Sequence, residues 1–243
     1  MISHSFQCLS VHIPKAAGNS VNRAFGVDWQ DHQDIARYQT ELPPAVFASY
    51  FKFTVVRNPW DRLLSDYNYQ VRKSRPADSK LHLFDARGAR RNFAAWTEAA
   101  LSETSRYPAN SWGGNVSPGI HRFSPQLDWI SLAGTPALDF IASFERLDDD
   151  FRVISRAVGL EQKDLPKRNP RFHFHYSRYY DDATRDRVGR YYAADIAAFG
   201  YKFEDRKFRL SWPGWKALHP ARVVPGPTAG TGFVEKASSQ RAA

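Results

Sequence analysis

Apolar and polar positions near the start of the chain alternate and then change to a helical spacing. Leu9, Val11 and Ile13 alternate with polar residues, which predicts a short strand over 9–13. A stretch of small residues interrupts the alternation, and Val21 and Phe25 then lie one helical turn apart. The pattern therefore predicts a strand, a short loop and a helix, in that order.

A second unit with the same order follows further along the chain. The aromatic and β-branched run 50–56 predicts a buried strand that ends before Arg57. Asn58 is a favourable N-cap, and Pro59 suits the first position of a helix. Apolar residues then recur at i, i+3, i+4 and i+7, as on a helix that packs against a core: Trp60, Leu63, Leu64 and Tyr67.

Later segments continue the alternation of strands and helices. The predicted elements are a helix at 94–101, a buried strand at 138–144, a helix from about 148 to Gly159 and a helix from 182 to Gly200. The Pro-, Gly-, Asn- and Ser-rich stretch 107–119 is expected to be a surface loop near a substrate cleft. This order predicts an α/β fold with a central parallel sheet flanked by helices, in which ligands bind at the carboxyl ends of the strands.

Composition indicates the number of domains and the cellular compartment to expect. The 243 residues are 42% hydrophobic and 24% charged, as in a globular protein. We expect one domain over 1–208 and a flexible Pro-, Gly- and Ala-rich tail over 209–243. No apolar run has the length of a membrane span, and the first residues lack the apolar stretch of a signal peptide. With a single cysteine, Cys8, no internal disulfide can form, so we expect a cytoplasmic protein.

A formal charge of +9 favours anionic partners such as nucleotides, acidic glycans or nucleic acid. The chain has no zinc-finger spacing, RNP-like strand motif or basic zipper, so nucleic acid is not an expected partner. A non-catalytic basic protein that binds acidic glycans or nucleic acid stays open as an alternative, and it would bind with a steep salt dependence.

The loop after the first predicted strand has the features of an anion site. Ala16, Ala17 and Gly18 keep side chains away from the backbone N–H groups at the start of the next helix, and Lys15 adds a positive charge. The alternative is an ordinary turn with a solvated lysine. Because the lysine precedes the glycine, the loop is not a Walker A motif, and a kinase or ATPase of the P-loop type is disfavoured.

Arg57 and Ser65 form a second candidate anion site. Arg57 follows a buried strand, and Ser65 lies in the second turn of the next predicted helix, so both could face one cleft and bind a phosphate. Taken alone, the arginine could instead bond to carbonyl groups and the serine could face solvent. Together with Lys15, they match a ligand that has two separated anionic groups.

Both segments resemble the nucleotide-binding motifs of sulfotransferases that use 3′-phosphoadenosine 5′-phosphosulfate (PAPS). Residues 12–20, His-Ile-Pro-Lys-Ala-Ala-Gly-Asn-Ser, are similar to the 5′-phosphosulfate loop. Residues 53–67, Phe-Thr-Val-Val-Arg-Asn-Pro-Trp-Asp-Arg-Leu-Leu-Ser-Asp-Tyr, are similar to the 3′-phosphate motif. Residues 139–151 and 179–203 also resemble the carbohydrate (family 2-like) sulfotransferase group, so the resemblance spans roughly 9–203.

This resemblance implies a P-loop-like sulfotransferase fold and transfer of the sulfuryl group of PAPS to a hydroxyl, of a carbohydrate or another acceptor. Adenosine 3′,5′-bisphosphate would be released, and no metal would be needed. Lys15 would stabilise the leaving phosphate. The implied PAPS-binding residues are Lys15, Ala16, Ala17, Gly18, Asn19, Ser20, Arg57 and Ser65. Family loops usually carry Thr where Ala16 and Asn19 stand, so an inactive homologue is a further alternative.

The base that accepts the proton of the acceptor hydroxyl is expected to be a histidine, although the resemblance leaves Glu or Asp open, since such bases occur in the family. His121 is the preferred candidate, His12 the second and His82 the third, although each could instead be structural. His173 and His175 form an H-x-H pair, but no third ligand is evident, so no metal site is expected.

Overall fold

The computed structural model describes residues 1–27, 31–73, 82–102, 114–161, 165 and 174–206. Most of the predicted loop at 107–119, together with His173 and the predicted tail at 209–243, lies outside the described residues. The domain boundary at 208 therefore stays a prediction.

A four-stranded sheet forms the centre of the fold. The strands among the described residues are β1 (Ile2–Ser3), β2 (Cys8–Val11), β3 (Phe51–Val56), β4 (Ser131–Leu132), β5 (Thr135–Pro136) and β6 (Phe140–Ser143). The sheet order is β1-β2-β3-β6, and β4 pairs separately with β5. β2, β3 and β6 run parallel, whereas β1 is antiparallel at the edge. The parallel centre confirms the predicted α/β fold, although β2 ends two residues before the predicted Ile13.

Helices precede or follow most of these strands, and the helices that follow β2, β3 and β6 were predicted from the apolar spacing. Those described are α1 (Gly18–Ala24), α2 (Ile35–Glu41), α3 (Pro44–Ser49), α4 (Pro59–Lys73), α5 (Phe93–Ser102), α6 (Gln126–Ile130), α7 (Leu147–Val158), α8 (Asp182–Tyr191) and α9 (Ala193–Phe199). Asn58 caps α4, since its side-chain oxygen accepts from the N–H of Trp60 at 3.1 Å. Gly159 ends α7 with a left-handed φ of 71°, as expected.

The single helix predicted over 182–199 is wrong, because the chain breaks at Tyr192 into α8 and α9. Tyr192 has φ −102° and ψ 27°, outside the helical region. Its ring is fully buried, and its hydroxyl donates to the carbonyl oxygen of Phe123 at 2.9 Å. The break thus accompanies a tertiary contact that periodicity does not encode.

Apolar side chains bury both faces of the sheet. Phe53 and Val55 of β3 pack on one face with residues of α1 and α7, and Val56 packs on the other with residues of α2 and α6. A third cluster joins α4 to α5 and α8 around Trp60 and Trp96. This packing brings the loops that follow β2 and β3 to the same edge of the sheet.

No helix in the part of the chain that is described has the length and apolar character needed to cross a membrane.

Candidate functional site

The two predicted anion-binding segments meet at the carboxyl ends of β2 and β3. These strands are parallel neighbours, with Val11 opposite Thr54, so the loops that follow them leave the sheet side by side. A direct hydrogen bond joins the loops: Nη1 of Arg57 donates to the carbonyl oxygen of Lys15 at 3.1 Å. The two segments therefore lie side by side at one edge of the sheet.

Several contacts hold Arg57 in place, and the residue as a whole is only 7% exposed. Nε and Nη2 both donate to Oδ2 of Asp61, at 2.9 and 2.7 Å. The guanidinium carbon lies 4.1 Å from the ring centroid of Phe144. A guanidinium has five N–H groups. The two bonds to Asp61 and the bond to the Lys15 carbonyl occupy three of them. The interpretation of an arginine bonded to carbonyls is thus partly correct, and two N–H groups have no partner among the described residues.

Gln126 fixes the backbone at Arg57. Its side-chain oxygen accepts from the N–H of Arg57 at 2.9 Å, and its side-chain nitrogen donates to the carbonyl of Arg57 at 2.8 Å. Gln126 is itself fully buried and bonded to Asp195. Sequence reasoning missed this support, because Gln126 lies 69 residues from Arg57.

The backbone of the Lys15 loop is unusual. Lys15 and Ala17 have left-handed φ angles of 66° and 67°, which non-glycine residues rarely adopt. Such strain persists where the surrounding structure imposes it, and it is common at binding sites. Ala17, Gly18 and Asn19 make no backbone N–H bond within the described parts of the chain. The loop therefore presents backbone donors, as the small residues predicted.

The Lys15 side chain lies beside α4. Its Nζ is 4.3 Å from the ring centroid of Tyr69. Burial lowers the pKa of Lys15 to about 8, and the carboxylate of Asp66 opposes this effect. Three nearby cations contribute to the lowering of this pKa: Arg122, Arg57 and Arg72. The ammonium is thus partly desolvated inside a cluster of positive charge.

A buried ion pair between Asp66 and Arg122 borders this cluster. Nε of Arg122 donates to Oδ2 of Asp66 at 2.6 Å, and Nη2 donates to Oδ1 at 2.5 Å. Burial would raise the pKa of Asp66, but the attraction of Arg122 outweighs it, so the pKa falls below its usual value. The Arg122 guanidinium also lies 5.7 Å from the Tyr69 ring centroid. Residues 53–67, the segment similar to the 3′-phosphate motif, include Asp66, but the sequence did not show that Arg122 is its partner.

The remaining predicted anion-site residues lie around the same loops. Ser65 is partly buried in α4, one turn beyond Asp61, which binds Arg57. Ala16 is buried, Asn19 is exposed and Ser20 is partly exposed. The side chains of Asn19 and Ser20 are therefore accessible to a ligand at the loop.

The preferred histidine, His121, directly precedes Arg122 of the buried ion pair. Burial and, to a smaller extent, Arg62 together lower the pKa of His121 to about 4. His12 is only 5% exposed, and its ring packs against the backbone of Gly18. Burial holds the pKa of His12 well below the usual value.

Two further histidines are His82, the third sequence candidate, and His32. His82 lies in the segment before α5, where its carbonyl accepts from Nη1 of Arg91 at 2.8 Å. His32, which sequence reasoning missed, lies against His12 with ring centroids 4.1 Å apart.

Metal-ligand clusters of three or more His, Cys, Asp or Glu side chains do not occur among the described residues. His173 of the H-x-H pair lies outside these residues. His175 contacts the hydroxyl of Ser177 through Nδ1 at 3.0 Å, and its Nε2 is 3.9 Å from Glu204.

Comparison with known proteins identifies the family. No curated protein and no solved structure matches the chain. The model of one family, described as the sulfotransferase family, matches residues 1–202. The match includes the Lys15 loop, the Arg57 segment and the whole sheet. The α/β architecture agrees with the fold of that family, and we conclude that the chain belongs to the sulfotransferase family.

Proposed function

We propose that this protein transfers the sulfuryl group of PAPS to a hydroxyl of a carbohydrate or glycoconjugate and releases adenosine 3′,5′-bisphosphate. Membership of the family establishes sulfuryl transfer in general terms. The choice of PAPS as donor rests chiefly on one observation, the 3.1 Å hydrogen bond from Arg57 to the Lys15 carbonyl. It joins two cationic segments that suit the two separated phosphate groups of this nucleotide.

The residues present fit such a ligand. At one end are the Lys15 ammonium and the backbone N–H groups of its loop. At the other end are two N–H groups of Arg57 and, along α4, the hydroxyl of Ser65. Asp61 already binds Arg57, so a phosphate there would share the guanidinium with that carboxylate. A charge-assisted bond to Arg57 is still worth roughly 1.5–3 kcal/mol.

Lys15 is suited to stabilise the leaving group. In the proposed reaction the acceptor oxygen forms a bond to sulfur, and the bond between sulfur and the 5′-phosphate oxygen breaks. The phosphate keeps the electron pair, so negative charge develops on that oxygen. A cation held in place at this point stabilises the developing charge, and the partly desolvated Lys15 does so more strongly than a solvated lysine would.

The proposed acceptor is a hydroxyl group of a carbohydrate. This choice rests on the resemblance of the Arg57 segment to the carbohydrate group of the family and on the charge of +9, which favours acidic glycans. The competing function is non-catalytic binding of acidic polymers. A protein with this competing function would bind the polymer with a steep salt dependence. It would have no saturable nucleotide site, and so no nucleotide binding that Lys15 and Arg57 control.

Thermal unfolding with nucleotides tests the donor site. A ligand at 100 times its dissociation constant stabilises the native state by about 2.7 kcal/mol. We expect adenosine 3′,5′-bisphosphate to raise the melting temperature, and AMP and ATP to have little effect at equal concentration. Arg57→Ala is the matched variant, and it should lose most of the shift. Equal shifts for all three nucleotides, or none for the bisphosphate, would contradict the proposal.

A further inference from the structure

The side chain of Lys15 is held by an aromatic ring. Its Nζ lies 4.3 Å from the ring centroid of Tyr69, and within the described residues Nζ makes no hydrogen bond or ion pair. We propose that Tyr69 is a positioning residue, which holds the Lys15 ammonium at the donor phosphate through the face of its ring. The role assigned to Tyr69 rests on the proposed function, because that function places Lys15 at the leaving phosphate.

Tyr69 belongs to a row of residues along one side of α4. Asp61, Ser65 and Tyr69 follow one another at intervals of four residues, which makes them neighbours on the helix surface. Asp61 binds Arg57, and Tyr69 contacts Lys15, so the two ends of this row touch both anion-binding loops. The helix that begins at Pro59 therefore places the ring at the site, although Tyr69 is 38% exposed.

The face of an aromatic ring attracts a cation. The face carries partial negative charge, and the attraction acts within about 6 Å of the ring centroid. At 4.3 Å, the ammonium of Lys15 lies well inside this range. The attraction is stronger for a cation that is partly desolvated, as Lys15 is. The ring of Tyr69 thus replaces part of the stabilisation that the ammonium loses when water is removed from it.

A ring also holds the ammonium without competing strongly for it. Asp66, the carboxylate that acts on Lys15, already accepts two hydrogen bonds from Arg122. Arg57, in contrast, is bound directly by Asp61, with which a phosphate would have to share it. An ammonium has three N–H groups, and a cation above a ring face keeps N–H groups that point away from the ring. These groups are available to the phosphate oxygen on which negative charge develops.

The charges around Lys15 show why such a contact matters. Burial lowers the pKa of Lys15 to about 8, Asp66 raises it, and three cations contribute to the lowering: Arg122, Arg57 and Arg72. His12 adds no charge, since burial holds its pKa well below the usual value. Arg122 lies 5.7 Å from the same ring centroid, so the ring of Tyr69 is close to two of the cations that repel each other. Its face favours the charged form of Lys15.

Three variants separate this role from simple packing. Tyr69→Phe keeps the ring face, and it breaks no hydrogen bond in the part of the chain that is described. Tyr69→Leu keeps an apolar side chain beside Lys15 but has no ring face. Tyr179→Leu is the matched control, because Tyr179 is also 38% exposed and ends the short 3-10 helix Tyr176–Tyr179.

The pH dependence of kcat/KM for PAPS reports the charge of Lys15. With ³⁵S-labelled PAPS and unsulfated chondroitin as the probe acceptor, we expect Tyr69→Leu to lower kcat/KM about 3–30-fold near neutral pH. The fall of kcat/KM at alkaline pH should begin below pH 8, because the ammonium then loses its proton more readily. Tyr69→Phe and Tyr179→Leu should behave like wild type. An unchanged alkaline limb in Tyr69→Leu would overturn the assignment.

Fluorination of the ring is a sharper form of the same test. Phenylalanine and its mono-, di- and trifluorinated forms are incorporated in place of Tyr69. Each fluorine withdraws electron density from the ring face and changes the size of the ring little. We expect log(kcat/KM) to decrease stepwise along the series, because the attraction for a cation weakens at each step. A flat series would show that the ring only packs against Lys15.

NMR of the full chain without ligand needs neither donor nor acceptor. With ¹³C-labelled lysine, the ε-methylene signal of Lys15, identified by its loss in Lys15→Ala, reports the titration of the ammonium. We expect a midpoint near pH 8 in wild type and a lower midpoint in Tyr69→Leu. An equal or higher midpoint in Tyr69→Leu would contradict the role of the ring, whatever group the protein transfers. Failure of the proposed function looks different, because the wild-type protein would then not bind adenosine 3′,5′-bisphosphate in calorimetry.

Discussion

Replacing Gly18 with alanine tests how closely the Lys15 loop is packed. A Cβ added at Gly18 would lie 1.8 Å from Cδ2, 2.1 Å from Nε2 and 2.5 Å from Cγ of His12. Carbon atoms in contact are normally about 3.5–4.0 Å apart, so the ring would have to move by more than an ångström. His12 is 5% exposed and rests on the ring of His32, so little space is available for this movement.

The loss of stability expected for Gly18→Ala comes from overpacking and not from backbone strain. Gly18 is the first residue of α1, and its φ is not in the left-handed region, so alanine brings no backbone strain there. Helix propensity by itself would favour alanine by up to about 1 kcal/mol. Forcing an extra methyl group into a packed core costs roughly 1–3 kcal/mol, and the overlap here is severe. We therefore expect Gly18→Ala to lower the free energy of unfolding by about 2–3 kcal/mol.

Urea denaturation of a double-mutant cycle measures this contact. His12→Ala removes the ring that the new methyl group would meet, so Gly18→Ala should cost much less in that background. The coupling free energy should be about 1–3 kcal/mol in the rescuing direction. The packing argument is wrong if the free energy of unfolding of Gly18→Ala lies within about 0.5 kcal/mol of the wild-type value. It is also wrong if the effects of the two substitutions on that free energy are additive. Bisphosphate affinity, measured by calorimetry, should fall in Gly18→Ala because the displaced loop carries Lys15.

Other expectations follow from the charges of the site. Lys15→Ala should lower kcat by on the order of 100-fold in steady-state assays, and a near-normal kcat would refute its role at the leaving phosphate. In wild type, kcat/KM for PAPS should fall above about pH 8, as Lys15 loses its proton. Asp61→Asn should strengthen bisphosphate binding by calorimetry, because it removes the carboxylate that competes for Arg57; weaker binding would mean that Asp61 mainly orients the arginine. Stability in urea should fall as the pH drops from 6.5 towards 4, because the unfolded chain protonates His32 at about 6.5 and the folded chain only at about 4. His12 and His121, whose pKa values are also lowered, add to this slope, so His32→Asn should reduce it by about 1.4 kcal/mol per pH unit.

The local elements of the site were determined by the sequence alone. Alternation, a small-residue loop and the Asn58-Pro59 helix start depend on neighbours within a few residues, so a single sequence shows them. The approach of Lys15 to Arg57 also followed, because parallel strands that are joined by helices bring their carboxyl ends to one edge. The family resemblance depended on these same segments.

Tertiary structure alone decided which side chains support the site and which atoms contact each histidine ring. Arg122 pairs with Asp66 across 56 residues, and Gln126 holds the Arg57 backbone across 69. His121 was preferred because it follows the Gly-rich loop, where a residue that contacts the substrate could lie. A ring tautomer, however, depends on the atoms that contact each nitrogen. For His32 that atom is a carbonyl 20 residues earlier in the chain. Periodicity and spacing carry no information about such contacts, because they form only when separate segments pack together.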